Sequence, residues 1–218
     1  MLVQTENPKG IAEMANSRPI DFWFTIGSTY TYLSVMRLPE VGHKSGIAFR
    51  WRPFSVRQIM IEQKNIPFSN KPVKAAYMWR DIERRSAMYG LAPRIPAPYP
   101  IAELDTANRV AIVGAAEGWV GDYTRATYRR WFEDGLEPGK EPNLGESLKE
   151  IGQDPARVIE RAASPQIGTA FEAQTDEARR LGIFGAPTFV VDRELFWGDD
   201  RLDDAIAWHR RGTLISPA

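Results

Sequence analysis

Cysteine is missing from this sequence of 218 residues. Its absence excludes disulfide bonds, zinc–thiolate sites, cysteine nucleophiles and any thiol redox couple built from the chain's own residues. Thiol chemistry would therefore require a thiol from another molecule. Histidine is scarce as well: the two residues, His43 and His209, fall near predicted helix C-termini. No arrangement typical of a metal site, a phosphate loop or a Ser/His/Asp triad occurs in the sequence, so we predict no metal ion.

An excess of charge of either sign is also lacking. The 28 Lys and Arg residues balance the 28 Asp and Glu residues, so charge does not favour binding to nucleic acid or to an anionic membrane surface. No segment approaches the roughly 20 apolar residues needed to cross a bilayer. Residues 1–20 contain charged side chains and lack the apolar core of a signal peptide. We therefore expect a cytoplasmic protein without nucleic-acid or membrane partners.

The N-terminal part predicts a strand, a helix and a second strand. Residues 19–26 form an apolar and aromatic run of strand length that ends at Gly27. Apolar residues then recur at helical spacing from Tyr30 to about Gly42, and residues 47–52 alternate apolar with basic side chains. A strand, a helix and a strand at this spacing are typical of a parallel βαβ unit.

The rest of the chain divides into a helical block and a second group of strands. Residues 65–180 show helical periodicity and no convincing strand. Strand patterns return at residues 188–192 and 194–197, which a tight hairpin joins, and a final helix covers about residues 200–210. The two strand groups form one mixed sheet only if they come together. The order therefore predicts an α/β protein with a thioredoxin-like fold and a large all-helical insertion.

The predicted domain organisation has three parts. Residues 18–64 form the first, βαβ part of the thioredoxin-like domain, and residues 65–180 form the helical insertion domain. Residues 181–218 form the second, ββα part of the thioredoxin-like domain. The proline-rich segment 92–100 is expected to be a surface connection.

Ser28 is the first residue that could carry chemistry. It lies between the first predicted strand and the first predicted helix, where backbone N–H groups without helical partners and the helix dipole favour an anion. That position suits a thiolate. The ordinary alternative is that Ser28 or Thr29 only caps the helix.

Two further segments lie at predicted element ends. Pro187 follows Ala186 at the start of a predicted strand. Only ~5% of X-Pro bonds in folded proteins are cis, but a cis bond would expose the Ala186 backbone for pairing with a peptide-like ligand. Asp199 and Asp200 lie at the start of the last helix, where an aspartate usually caps the helix but could also bind an ammonium group of a ligand.

Sequence motifs at both ends of the chain are specific enough to indicate a family. They are Asp21-Phe22-Trp23-Phe24, Gly27-Ser28-Thr29-Tyr30-Thr31-Tyr32-Leu33, Trp51-Arg52-Pro53-Phe54, the spaced residues Lys74, Tyr77, Met78 and Asp81, the run from Gly182 to Val191, and the run from Leu195 to Leu202. Together they resemble the 2-hydroxychromene-2-carboxylate isomerases and the kappa-class glutathione transferases. The match spans nearly all of the chain after Ile20.

The resemblance implies a disulfide-oxidoreductase-like thioredoxin fold, a homodimer and glutathione as cofactor. A disulfide oxidoreductase needs Cys-x-x-Cys, and the segment from Ser28 to Thr31 contains no cysteine, which excludes that activity. The glutathione contacts that the resemblance implies are Ser28 with the sulfur, Asn65 with the tripeptide, Ala186 before cis-Pro187 with the cysteinyl backbone, and Asp199 with Asp200 at the γ-glutamyl end.

The resemblance also implies a reaction. This reaction is the cis–trans isomerisation of 2-hydroxychromene-2-carboxylate, or of a related aromatic-catabolite carboxylate, by reversible conjugate addition of the glutathione thiolate. Two departures from the family bear on the substrate pocket: Thr29 replaces the usual proline after the serine, and residues 25–27 replace a more acidic and bulkier run. Two alternatives stay open, namely a kappa-like glutathione transferase that consumes glutathione and a non-catalytic thioredoxin-like binding module.

Overall fold

The computed structural model describes residues 18–68 and 70–215 of the chain. No helix among these residues combines the length and the apolar character that a bilayer crossing requires. The strands are β1 (Ile20–Phe24), β2 (Phe49–Pro53), β3 (Thr188–Val191) and β4 (Glu194–Trp197). The α-helices are α1 (Thr31–Ser45), α2 (Val56–Glu62), α3 (Pro72–Met88), α4 (Leu104–Glu117), α5 (Val120–Arg129), α6 (Asn143–Glu150), α7 (Pro155–Ala163), α8 (Pro165–Leu181) and α9 (Leu202–Arg211), with a π-helical turn (Arg130–Asp134) after α5 and a 3₁₀ turn (Asp199–Arg201) before α9.

The four strands form one mixed sheet in the order β2–β1–β3–β4. β1 pairs with β2 in parallel, from Ile20 opposite Phe49 to Phe24 opposite Pro53. β3 is antiparallel to both β1 and β4. The N-terminal and C-terminal strand groups therefore meet in one sheet, which confirms the predicted thioredoxin-like α/β fold.

Alternation along the strands gives the sheet two apolar faces. Phe22 and Phe24 of β1 and Phe189 of β3 face a core that includes α1, α9 and most of the helices between them. Trp23 of β1 and Val190 of β3 face the other side, against α2 and the C-terminal end of α8. Successive side chains of a strand point to opposite faces, and here each face is covered by helices.

Aromatic side chains join the helical block to α1 and link two strands within the sheet. Tyr32 of α1 stacks on Phe132, with 4.1 Å between the ring centroids. Trp51 of β2 lies edge-on to Phe22, with 5.0 Å between the centroids. All four belong to one hydrophobic cluster or pack against it, so the helical block and the sheet share a continuous core. The domain boundaries at 64/65 and 180/181 stay predictions.

Local sequence signals set several element ends. The side chains of Asp154 and Ser164 cap α7 and α8. Gly182 ends α8 with a left-handed φ of +81°. The predicted hairpin turns at Asp192 and Arg193, whose φ values of +47° and +79° are typical of a type I′ turn.

The structure differs from the sequence prediction in two helices. α1 runs beyond Gly42 to Ser45 and closes on Gly46, whose φ is +68°. The short α2 is absent from the prediction because seven residues are too few to show helical periodicity. Its local signal is Ser55, whose side chain accepts a hydrogen bond from the backbone N–H of Gln58.

The proline-rich segment 92–100, expected to be a surface connection, is partly buried. Ala97 is 5% exposed. The carbonyl of Pro98 accepts a hydrogen bond from the Trp131 indole over 2.7 Å. Part of this segment therefore covers the aromatic core of the helical block.

Candidate active site

The sheet topology brings the three candidate segments to one edge. Ser28 follows the C-terminal end of β1, Ala186 precedes the N-terminal end of β3, and Asp199 follows the C-terminal end of β4. Because β3 is antiparallel to β1 and β4, these three ends lie at the same edge of the sheet. Ser28 and Ala186 are in direct contact, since the Ser28 hydroxyl donates a hydrogen bond to the Ala186 carbonyl over 2.8 Å.

The side chains of Ser28 and Thr29 do not cap the first helix. The N-cap of α1 is Tyr30, which makes no capping hydrogen bond through its side chain. The buried Thr29 hydroxyl donates to Met78 Sδ over 2.9 Å, and the half-buried Ser28 hydroxyl donates to Ala186. The capping interpretation is therefore wrong for both hydroxyls.

Backbone N–H groups without partners lie next to Ser28 in the chain. The amides of Thr29, Tyr30 and Thr31 precede the first hydrogen bonds of α1. Within residues 18–68 and 70–215, these three amides and that of Ala186 donate no hydrogen bond. Amides at a helix N-terminus carry partial positive charge, so this corner of the fold favours an anion.

The two aspartates after β4 occupy different environments. Asp199 is 2% exposed, and its carboxylate accepts hydrogen bonds from Ser34, Arg37 and Tyr89. Asp200 is exposed. Of the pair, only Asp200 presents its carboxylate to solvent.

Tyr89 is a stable donor to Asp199. Its hydroxyl lies 3.2 Å from Oδ2 of the aspartate, and the Arg37 guanidinium lies over its ring at 3.8 Å from the centroid. Burial raises the pKa of Tyr89, and the negative charge of Asp199 raises it further. The hydroxyl therefore keeps its proton, and the hydrogen bond, at neutral pH.

Comparison with known proteins identifies the family. Residues 19–206 match the model of the DSBA-like thioredoxin domain, which covers most of the chain. The chain belongs to this family. The resemblance seen in the sequence motifs and the thioredoxin-like fold are both confirmed.

Two relatives of this DSBA-like chain carry informative names. The 2-hydroxychromene-2-carboxylate isomerase of Sphingobium xenophagum is 29% identical over 189 residues, which cover 86% of this chain and 95% of the relative. Glutathione s-transferase kappa 2 of Caenorhabditis elegans is 22% identical over 203 residues, which cover 87% and 90%. Among solved structures, a 2-hydroxychromene-2-carboxylate isomerase matches with a TM-score of 0.78 at 24% identity over 87% of this chain and 93% of that one. This structural match shows that the two proteins share a fold.

In this DSBA-like domain, two buried side chains from the helices hold the loop that carries Ser28. Asn108 of α4 pairs with both backbone groups of Ile26: its Nδ2 donates to the carbonyl over 2.9 Å and its Oδ1 accepts from the amide over 2.8 Å. The Tyr128 hydroxyl of α5 lies 2.9 Å from the carbonyl oxygens of both Thr25 and Ser28. Both side chains are fully buried, so the helical block fixes the path of the loop.

Gly27 makes that path possible. Its φ of +121° lies in a region that residues with a side chain rarely adopt. A Cβ atom at this position would overlap Cδ1 of Leu104 on α4. The loop therefore turns toward α1 through a backbone conformation that favours glycine, immediately before Ser28.

The remaining predicted residues have different outcomes. The Ala186–Pro187 peptide bond is cis, as the resemblance implies. Asn65 lies exposed in the loop after α2, and in the part of the chain that the structure describes no hydrogen bond joins its side chain to Ser28 or Asp200. Its role as a glutathione contact stays a prediction. Among the described residues, no group of three or more His, Cys, Asp or Glu side chains is placed to hold a metal ion.

The sequence analysis does not identify the site contacts of five residues: Ser34, Arg37, Tyr89, Asn108 and Tyr128. Asn108 has a detectable signal, because it is a polar residue within the small apolar seam of α4, and buried polar side chains need partners. The others have none. Tyr128, for example, contacts carbonyls that are 100 and 103 residues away in the chain.

Tyr128→Phe is expected to loosen the Ser28 loop of this DSBA-like domain without disturbing the core. The substitution removes only the hydroxyl, which leaves the Ser28 carbonyl without a donor among the described residues, while the Thr25 carbonyl keeps the backbone N–H of Ser28. We expect the free energy of unfolding to fall by about 1–3 kcal/mol, the cost of leaving a buried group unsatisfied. Urea unfolding measures this change.

Tyr123→Phe is the matched control for this prediction. Its hydroxyl is also buried, but it donates to the carbonyl of Ala107 over 3.3 Å, away from the Ser28 loop. Hydrogen exchange of the loop amides should accelerate in Tyr128→Phe and not in Tyr123→Phe. Equal exchange in the two variants would show that the Tyr128 hydroxyl does not hold the loop.

Proposed function

We propose that the protein is a glutathione-dependent cis–trans isomerase that acts on 2-hydroxychromene-2-carboxylate or a related aromatic-catabolite carboxylate. One observation carries the proposal. In a chain without cysteine, the Ser28 hydroxyl meets the Ala186 carbonyl beside helix N-terminal amides that have no partner within the described residues. Such a corner suits a thiolate from another molecule, and the names of the relatives support the reaction class.

The residues present fit the tripeptide. Ala186 offers an amide N–H without an acceptor in the described residues and a carbonyl, the two groups with which an extended peptide pairs. Asp200 offers an exposed carboxylate for the ammonium group of the γ-glutamyl residue. Ser28 offers a hydroxyl for the sulfur, and Asn65 is the further contact that the sequence predicts.

For this reaction, the protein has to keep the sulfur of bound glutathione ionised. Bound glutathione would supply a thiolate whose reversible addition makes the reacting carbon–carbon double bond single, permits rotation and leaves glutathione unconsumed. A thiol with a pKa of ~8.5 is mostly protonated at neutral pH, and lowering this pKa by about two units needs about 2.7 kcal/mol of preferential anion stabilisation. A partly buried helix N-terminus contributes up to about 2 kcal/mol, and a hydrogen bond to a charged group about 1.5–3 kcal/mol. α1 and Ser28 are together sufficient.

The Ser28 hydroxyl has one proton to donate, and in the described structure the Ala186 carbonyl accepts it. Donation to a sulfur anion requires rotation of the hydroxyl away from that carbonyl. The carbonyl can then accept an N–H group of the bound peptide. One hydrogen bond replaces another, so no polar group loses its partner.

Two other functions make different predictions for glutathione. In a kappa-like glutathione transferase, a reading favoured by the kappa relative, the same corner would bind the same thiolate, and the sulfur would leave as part of a conjugate. A non-catalytic thioredoxin-like binding module would need no thiolate site. The amides and the hydroxyl assembled around Ser28 favour the two enzymes over the module.

Three measurements test the proposal. Titration calorimetry with glutathione should give a heat of binding. Isomerisation of 2-hydroxychromene-2-carboxylate should require glutathione in catalytic amounts only, and the free thiol should be undiminished after complete turnover. Loss of one thiol per product would indicate a transferase. Absence of binding heat would overturn both enzymatic functions.

The proposal includes a cytoplasmic location, where thiols are kept reduced, and a homodimer. Cell fractionation tests the location. Sedimentation equilibrium tests the assembly, with an expected mass twice that of one chain.

A further inference from the structure

We infer that Asp199 is a positioning residue: it fastens the turn that carries Asp200 to the helix that begins beside Ser28, and so sets where the γ-glutamyl end of glutathione is held. The inference rests on the proposed function. It gives Asp199 a role through the protein in place of the direct contact that the resemblance implies.

Asp199 uses both oxygens of its carboxylate inside the protein. Oδ1 accepts hydrogen bonds from Ser34 and from Arg37, each over 2.9 Å. Oδ2 accepts from the Tyr89 hydroxyl over 3.2 Å, and the Arg37 guanidinium also reaches the backbone carbonyl of Asp199 at 3.3 Å. Three of the roughly four acceptor positions of the carboxylate are in use, and the side chain is only 1% exposed, so a ligand's ammonium group has no open approach to it.

These contacts join three elements of the fold. Ser34 and Arg37 lie on successive turns of α1, Tyr89 ends α3, and Asp199 opens the 3₁₀ turn before α9. An α-helix is a stiff rod that rises 1.5 Å per residue. α1 therefore holds the turn after β4 at a fixed distance from its own N-terminus, next to Ser28.

Asp200 is the residue that this arrangement places. It is exposed and pairs with Arg201 at the surface, with 3.3 Å between nitrogen and oxygen. A Cβ atom on Gly198, whose φ is +116°, would lie 2.5 Å from Oδ1 of Asp200. The missing side chain at Gly198 lets the Asp200 carboxylate fold back over the turn, and the anchoring of Asp199 decides where the turn lies.

The charges at the anchor determine which variants are informative. The side chains of Arg37 and Asp199 are only 16% and 1% exposed, and removing one partner of such a buried pair leaves the other charge uncompensated. Tyr89→Phe and Ser34→Ala avoid this problem. Each removes one hydroxyl donor to Asp199 and keeps the ion pair.

The test compares two thiol ligands that differ at one end. Glutathione carries the γ-glutamyl residue, and cysteinylglycine lacks it. We expect Tyr89→Phe to raise the Kd of glutathione about tenfold and to leave the Kd of cysteinylglycine within about twofold, both measured by titration calorimetry. Ser34→Ala should act in the same direction. Tyr123→Phe, which loses a buried hydroxyl of α5 that contacts Ala107, is the matched control and should leave both Kd values unchanged.

The ligand comparison separates positioning from a general loosening of the fold. Equal changes in Kd for both ligands, no change for either, or equal affinity of the wild-type protein for the two ligands would overturn the inference. Wild-type protein that binds neither ligand would overturn the proposed function, and the inference with it. Circular dichroism establishes that each variant is folded, and Ser34→Ala decides the question if Tyr89→Phe does not fold.

Discussion

Ser28→Ala is expected to raise the pKa of the bound thiol by about one to two units and, because less of the thiol is then ionised, to lower kcat at pH 7 about 3- to 25-fold. The variant loses the hydroxyl that the structure places against Ala186, which leaves only backbone N–H groups to stabilise the thiolate. Because the thiol is ionised above its pKa, a raised pKa moves the acidic limb of the pH–rate profile to higher pH. Activity should therefore recover at high pH. Ultraviolet titration of the enzyme–glutathione complex reports the thiol pKa directly.

Ser45→Ala, at the C-terminal end of α1, is the matched control. Its hydroxyl donates a hydrogen bond to the carbonyl of Gly42 over 3.4 Å and lies outside the candidate site. Its pH–rate profile should equal that of the wild-type protein. If Ser28→Ala also kept the wild-type profile, the serine would have no part in ionising the thiol.

Gly27→Ala is expected to have the largest effect on both stability and turnover. The new side chain would be held at a φ of +121° and would overlap Leu104. A residue in so rarely populated a backbone region costs about 1–3 kcal/mol, and moving the end of the Leu104 side chain aside adds a smaller cost. The strain falls on the loop that positions Ser28, and a displacement of about 1 Å at a reacting group can lower kcat about 100-fold. Urea unfolding and steady-state kinetics measure the two effects.

Gly46→Ala provides the comparison for Gly27→Ala. Gly46 also has a positive φ, +68°, but a Cβ atom there would have no neighbour within 4 Å. The loss of stability should be about 1 kcal/mol, and kcat should not change. A Gly27→Ala protein as stable and as active as Gly46→Ala would show that the loop can follow another path.

Local sequence signals are enough to predict the strands and several of the helix ends. Caps and turns act through groups only a few residues apart, as at Asp154, Ser164 and Gly182. The strand pattern before Gly27 is equally local. α2 cannot be predicted in this way, because a helix of seven residues offers little periodicity. Its cap, Ser55, cannot be distinguished in the sequence from other serines in loops.

For the candidate site, the sequence predicts where its segments lie and does not predict their contacts. The candidate segments lie at strand ends, and the mixed sheet brings those ends together. Asp199 and Asp200 are neighbours of the same residue type, yet one is buried and the other exposed. The buried Asp199 carboxylate accepts hydrogen bonds from Arg37 and Tyr89, which lie 162 and 110 residues from it in the chain. No local pattern encodes a contact between residues so far apart.

Asn108 and Tyr128 limit how this protein can be recombined with its relatives. A chimera that received a foreign segment in place of residues 65–180 would lose both side chains that grip the backbone at Ile26 and Ser28. To keep the Ser28 loop in place, the donor segment would have to supply an amide and a phenol at the same two places. Without them, the chimera would keep Ser28, but no side chain of the helical block would hydrogen-bond the backbone of its loop.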